Sequence, residues 1–125
     1  MEEKIILNLQ VAKEEINKLI AYRESLLSYY RNIKSSLDSL EAIKEENVFL
    51  PLGNDVFVKS NIIDKNLIIV GIGSNIYIEM EIDKAKELLE KKIKKIEEEI
   101  REINMYIQNL QNYILSLLEG IKKKE

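Results

Sequence analysis

Cysteine, histidine and tryptophan are absent from the 125 residues, proline occurs once and glycine four times. Without cysteine or histidine there can be no disulfide, no thiolate or imidazole zinc site and no His-based acid–base mechanism, which excludes most enzyme classes. Few prolines and glycines leave regular elements largely uninterrupted. An excess of positive charge is also missing: 19 basic against 22 acidic residues give a net charge of −3, so no global field draws the chain to nucleic acid or anionic lipid. Neither nucleic acid nor membrane is therefore expected as a partner. The longest apolar stretch, Leu67–Gly73, is far too short to span a bilayer, and Met1-Glu2-Glu3 lacks the basic start of a secretory signal. The expectation is a soluble cytoplasmic protein.

What is abundant is apolar residues, at 46%, and charged ones, at 33%. Their order along the chain has helical period. In the first third one seam runs Ile5, Ala12, Leu19, Leu26, Ile33, Leu40 and a second runs Leu9, Ile16, Arg23, Tyr30, Leu37. The alternating spacing of four and three is that of a and d positions in a coiled coil, with Arg23 as the clearest fault. The last third repeats it as Ile82, Leu89, Ile96, Ile103, Leu110, Leu117 beside Ile93, Ile100, Ile107, Ile114, Ile121, broken only at Lys86. Between these seams lie Lys91, Lys92, Lys94, Lys95, Glu97, Glu98, Glu99, Arg101 and Glu102, which read as a solvated face supporting the helix.

From about Val48 to Met80 the period changes. Short β-branched and aromatic runs, Val48–Leu52, Val56–Val58, Leu67–Val70 and Ile76–Ile78, are separated by Gly53-Asn54-Asp55, Asp64-Lys65-Asn66 and Gly73-Ser74-Asn75. Four strands with three tight turns are expected, with Pro51 at an edge or a strand end. The organisation is then one α+β domain over 1–125: a helix over 1–46, strands over 47–81 and a second helix over 82–125. The helices should return antiparallel. One register pairs Leu9 with Leu117, Ile16 with Leu110, Leu26 with Ile100, Tyr30 with Ile96 and Leu37 with Leu89, giving a hairpin about 60 Å long at ~1.5 Å per residue.

Two surfaces exceed what such a hairpin can bury. The strands are apolar on both faces, so Val56, Phe57, Val58, Ile62, Leu67, Ile68, Ile69, Val70, Ile76 and Ile78 are expected at contacts with other subunits. The competing arrangement folds the helices back over the strands as one globule. The second surface lies near the termini, where Leu7, Val11 and Leu115 fall off the seam, with Ile6, Leu118 and Ile121 beside them. Ile6 with Leu118, and Tyr22 with Tyr106, could flank the seam as packing pairs. Exposed side chains there suggest a site for apolar segments of another polypeptide, against the plainer alternatives of frayed helix ends or an oligomer contact. Lys122-Lys123-Lys124 could frame that end electrostatically or only solubilise it.

The strand block carries a family resemblance. Pro51-Leu52-Gly53-Asn54-Asp55-Val56-Phe57-Val58-Lys59, then Ile68-Ile69-Val70-Gly71-Ile72-Gly73 and Ile76-Tyr77-Ile78-Glu79, then Ala85 opening the second helix, resemble the α-type subunit of archaeal-type prefoldin. The likeness spans essentially the whole chain, and its specific portion is this block, since many coiled coils share the heptads. Four strands rather than two point to the α type. Ser60 stands where many family members have glycine. The resemblance implies two α-type subunits assembled with four β-type subunits through a shared β-barrel. It also implies coiled-coil tips that capture unfolded client proteins without ATP and pass them to a group II chaperonin. Ile6, Leu7, Val11, Leu115, Leu118 and Ile121 would form the client site.

No catalytic, cofactor-binding or metal-binding residue is assigned. Gly71-Ile72-Gly73-Ser74 lacks the third glycine, the following Lys-Ser/Thr and the helix start of a phosphate loop. Carboxylate pairs such as Glu14 with Glu15 and Glu97 with Glu98 read as solvated helix residues without a pocket. Two readings compete with the hexameric chaperone: a homologue that assembles with itself into filaments, and a coiled-coil adaptor whose helices bind a folded partner.

Overall fold

A computed structural model describes residues 2–43, 47–64 and 66–122. The element order is helix α1 (Glu2–Ala42), strands β1 (Asn47–Gly53), β2 (Val56–Asn61), β3 (Leu67–Gly73) and β4 (Ile76–Glu81), then helix α2 (Ile82–Lys122). Two long helices with two antiparallel β-hairpins between them are the architecture read from the sequence. Lys123 and Lys124, of the basic C-terminal triplet, lie outside the described residues. Both helices place acidic side chains in the first turn, Glu2 and Glu3 in α1 and Asp83 in α2, where the exposed N–H groups favour negative charge.

The chain divides into two compact units, one of residues 1–31 with 94–125 and one of residues 32–93. In the first unit the helices run antiparallel. Asn8, Val11, Ala12 and Glu15 face Tyr106, Leu110 and Tyr113, and Arg23, later in α1, meets Asn104, earlier in α2. Every seam position named above is buried or half-buried; the buried ones are Ala12, Ile96, Ile103 and Ile107 in the first unit and Ile33, Leu37 and Ile93 in the second. That is the burial pattern of a narrow apolar seam between paired helices.

In the second unit the strands form two separate two-stranded sheets, β1 with β2 and β3 with β4. The turn expected at Asp64-Lys65-Asn66 falls between the two hairpins, since β2 and β3 are not paired; Lys65 itself lies outside the described residues. The flanking residues have another task. The Asn66 N–H bonds the Asp64 carboxylate (N···Oδ1 2.9 Å), and the Asn66 carbonyl accepts the Ile82 N–H at 3.0 Å. The side-chain bond is an Asx-type turn, and the backbone bond satisfies a donor at the start of α2 that has no partner within its helix.

The two hairpins are built alike. Gly53, Asn54 and Asp55, and again Gly73, Ser74 and Asn75, all have positive φ. Positive φ at both central residues marks the type I′ turn, whose twist suits paired strands. Register shifts between Pro51 and Gly53 and between Gly71 and Gly73 leave Leu52 and Ile72 as the extra residues of two bulges. Pro51, opposite Phe57, is tolerated because each strand of a two-stranded sheet has an open edge.

Candidate binding and assembly surfaces

Near the termini, Ile6, Leu7, Val11, Leu115 and Leu118 are all exposed, Leu7 at 57% and Leu115 at 58%. The flanking pairs do not bury one another: Ile6 and Leu118 remain open, as do Tyr22 and Tyr106. Ile121 is half-buried and continues the seam. Beside this surface α2 carries no charged residue from Ile103 to Leu118, presenting Asn, Gln, Tyr and Met instead. Met105 is exposed, and Gln108 donates to Asn112 (Nε2···Oδ1 3.3 Å).

A groove of about 390 Å³ opens between the helices here, lined by Asn8, Val11, Ala12, Glu15, Tyr106, Leu110 and Tyr113. Its presence corrects the reading of Glu15. Glu14, Glu97 and Glu98 are exposed as expected, whereas Glu15 is half-buried and lines the groove. Arg23 is likewise half-buried rather than a simple fault, since its Nη1 donates to Asn104 Oδ1 at 2.7 Å. Neither feature was found from the heptads, because both depend on off-seam residues of the opposite helix.

The strand surface divides by hairpin. Along β1 and β2, Val56, Phe57 and Val58 are exposed together with Phe49, Leu50 and Leu52, while Val48, Ser60 and, past the end of β2, Ile62 are half-buried. Phe49, Leu50 and Leu52 extend the expected assembly set, and the signal that could have found them was the apolar run of β1 itself. In the second hairpin Ile68 lies opposite Met80 and Val70 opposite Ile78. Ile68 and Val70 are half-buried beside Ser35, Ser36, Ser39, Leu40 and Leu89, and Ile78 and Met80 border a groove with Lys84 and Leu88. Its other face, with Leu67, Ile69 and Tyr77, is open, as is Ile76 in the turn. The side of this hairpin that carries Ile68 and Val70 is covered only in part, since Ile72 and Ile78 on it stay exposed. Ile63, just beyond β2, is fully exposed.

Among the described residues no cluster of carboxylates, histidines or cysteines could hold a metal ion, and no helix is long and apolar enough to cross a membrane.

Comparison with known proteins fits this geometry. The Prefoldin subunit family model matches residues 9–124. Prefoldin subunit alpha of Pyrococcus horikoshii is 32% identical over 99 residues, covering 74% of this chain and 66% of the relative. That of Thermococcus onnurineus is 33% identical over 84 residues, covering 62% and 57%. The chain therefore spans somewhat less than two thirds of the length of these curated relatives. A cryo-EM structure of filamentous PFD from Methanocaldococcus jannaschii shares the fold, with a TM-score of 0.50 at 23% identity over 97% of this chain and 92% of the other. Paired heptad helices, two hairpins between them and a family match over nearly the whole length lead to one assignment: the chain belongs to the prefoldin subunit family, a family of chaperones rather than enzymes, and its relatives are α-type members.

Proposed function

We propose that the protein is a cytoplasmic, ATP-independent holding chaperone subunit. It captures non-native polypeptides on the surface near its termini, assembles with β-type subunits through its strands and passes clients to a group II chaperonin. The observation that carries the reading is the exposed set Ile6, Leu7, Val11, Leu115 and Leu118 beside a charge-free stretch of α2. Side chains of this kind are surplus to the seam, and contiguous exposed apolar surface on a soluble protein marks a contact with another chain. Open faces along Phe49–Leu52 and Val56–Val58, with unpaired edges on every strand, supply the assembly surface. Each set of apolar side chains is too small for tight capture alone, so several copies on one platform act together by raising the effective concentration.

Two measurements test this. The mass of the protein alone and mixed with a β-type subunit should give a discrete complex of two α and four β chains, and that complex should suppress aggregation of a chemically unfolded protein without ATP. Polymer formed by this chain alone would favour a filament, a reading supported by the fold it shares with filamentous PFD. A mixed complex without protection of unfolded clients would favour an adaptor.

A further inference from the structure

We propose that the groove between the helices of the first unit receives an arginine side chain of the captured client segment. The inference rests on client capture by this unit and adds a chemical preference to it. Glu15 is the only charged residue lining the groove, is half-buried, and has no hydrogen-bond or ion-pair partner among the described residues. The facing stretch of α2, Ile103 to Leu118, offers no cation to neutralise it. Tyr106 and Tyr113, one heptad apart, line the same groove as Glu15, together with the aliphatic Val11 and Leu110.

A carboxylate next to aromatic faces attracts a cation twice, by charge-assisted hydrogen bonding and through the ring quadrupoles. An acidic side chain would be repelled there, and an apolar one would take water from Glu15 without giving it a partner. Arginine suits the lining better than lysine, because its planar fork matches a carboxylate and its face stacks on a ring. Charge complementarity therefore names the occupant: an arginine within an otherwise uncharged, apolar client segment.

Fluorescence anisotropy of the full chain tests this with an uncharged apolar peptide bearing one central arginine and with its citrulline counterpart. The arginine peptide should bind about three- to ten-fold more tightly, a gap that narrows in high salt. Glu15→Gln should close the gap while leaving the citrulline peptide unaffected, and Glu15→Asp should retain part of it, with helicity unchanged in both variants. Equal binding of the two peptides, or a gap that survives Glu15→Gln, overturns the arginine site and leaves client capture standing. Binding of neither peptide overturns the arginine site, whereas client capture, which is shared among several copies, is judged by the aggregation assay on the assembled complex. A gap lost only together with a change in assembly mass would place Glu15 at a contact between copies and overturn the proposal.

Discussion

A guanidinium at a seam position is an unusual tenant, and Arg23 keeps its place through one bond, Nη1 to Asn104 Oδ1 at 2.7 Å. Hydrogen bonds to a charged group contribute about 1.5–3 kcal/mol net where water is excluded and well under that where water competes, as at this exposed bond. Asn104 is exposed, so water can replace the arginine there and no orphaned group would remain. A leucine at the same half-buried position would bury apolar surface worth up to about 1.5–3 kcal/mol if fully covered. Part of that is already supplied by the arginine stem. We therefore expect Arg23→Leu to stabilise the chain by about 1 kcal/mol, read as a higher urea midpoint of helicity at an unchanged slope. A lower midpoint would show that the bond outweighs the packing it displaces.

At the scale of elements, the hairpins allow a sharper comparison. Gly73 has φ +114 and open space around its Cβ position, whereas Gly71 has ordinary φ but would place a Cβ 3.1 Å from Tyr77 Cε1. Tyr77 is 68% exposed, so its ring can swing away. Gly73→Ala should cost about 1–2 kcal/mol from backbone strain alone, while Gly71→Ala should be close to neutral; a larger loss for Gly71→Ala in denaturant titrations would reverse this ranking. The helices and both hairpins were legible in the sequence because heptads and Gly-Asn-Asp or Gly-Ser-Asn turns are local signals. Asp64 to Asn66 reads as a turn for the same reason, and it lies between the hairpins. The backbone bond from Ile82 to Asn66 was not legible there, because a partner distant in the chain is not a local property. Glu15 escaped because its burial depends on Tyr106 and Tyr113 across the helix pair, beside the small Ala12. Which strand side chains stay exposed was equally hidden, since all four strands are apolar.

For the whole molecule the decisive point is where apolar surface remains after folding. The seam is covered by its partner helix, leaving apolar side chains exposed on both hairpins and on the surface near the termini. These two remainders should be separable by mutation, because the strands and the terminal surface lie in different compact units. Changing Leu7, Val11, Leu115 and Leu118 together to Ser removes exposed side chains that support no core, and surface changes of this type usually alter stability by about 0.5 kcal/mol or less each. The variant should keep its helicity and its complex with β-type chains but lose protection of an unfolded client, while each single substitution should have a small effect because capture is shared among several copies. Protection that persists in the fourfold variant would move the client site elsewhere, with the exposed face of β1 and β2 as the next surface to test. Loss of assembly together with protection would instead make the terminal surface a contact between subunits.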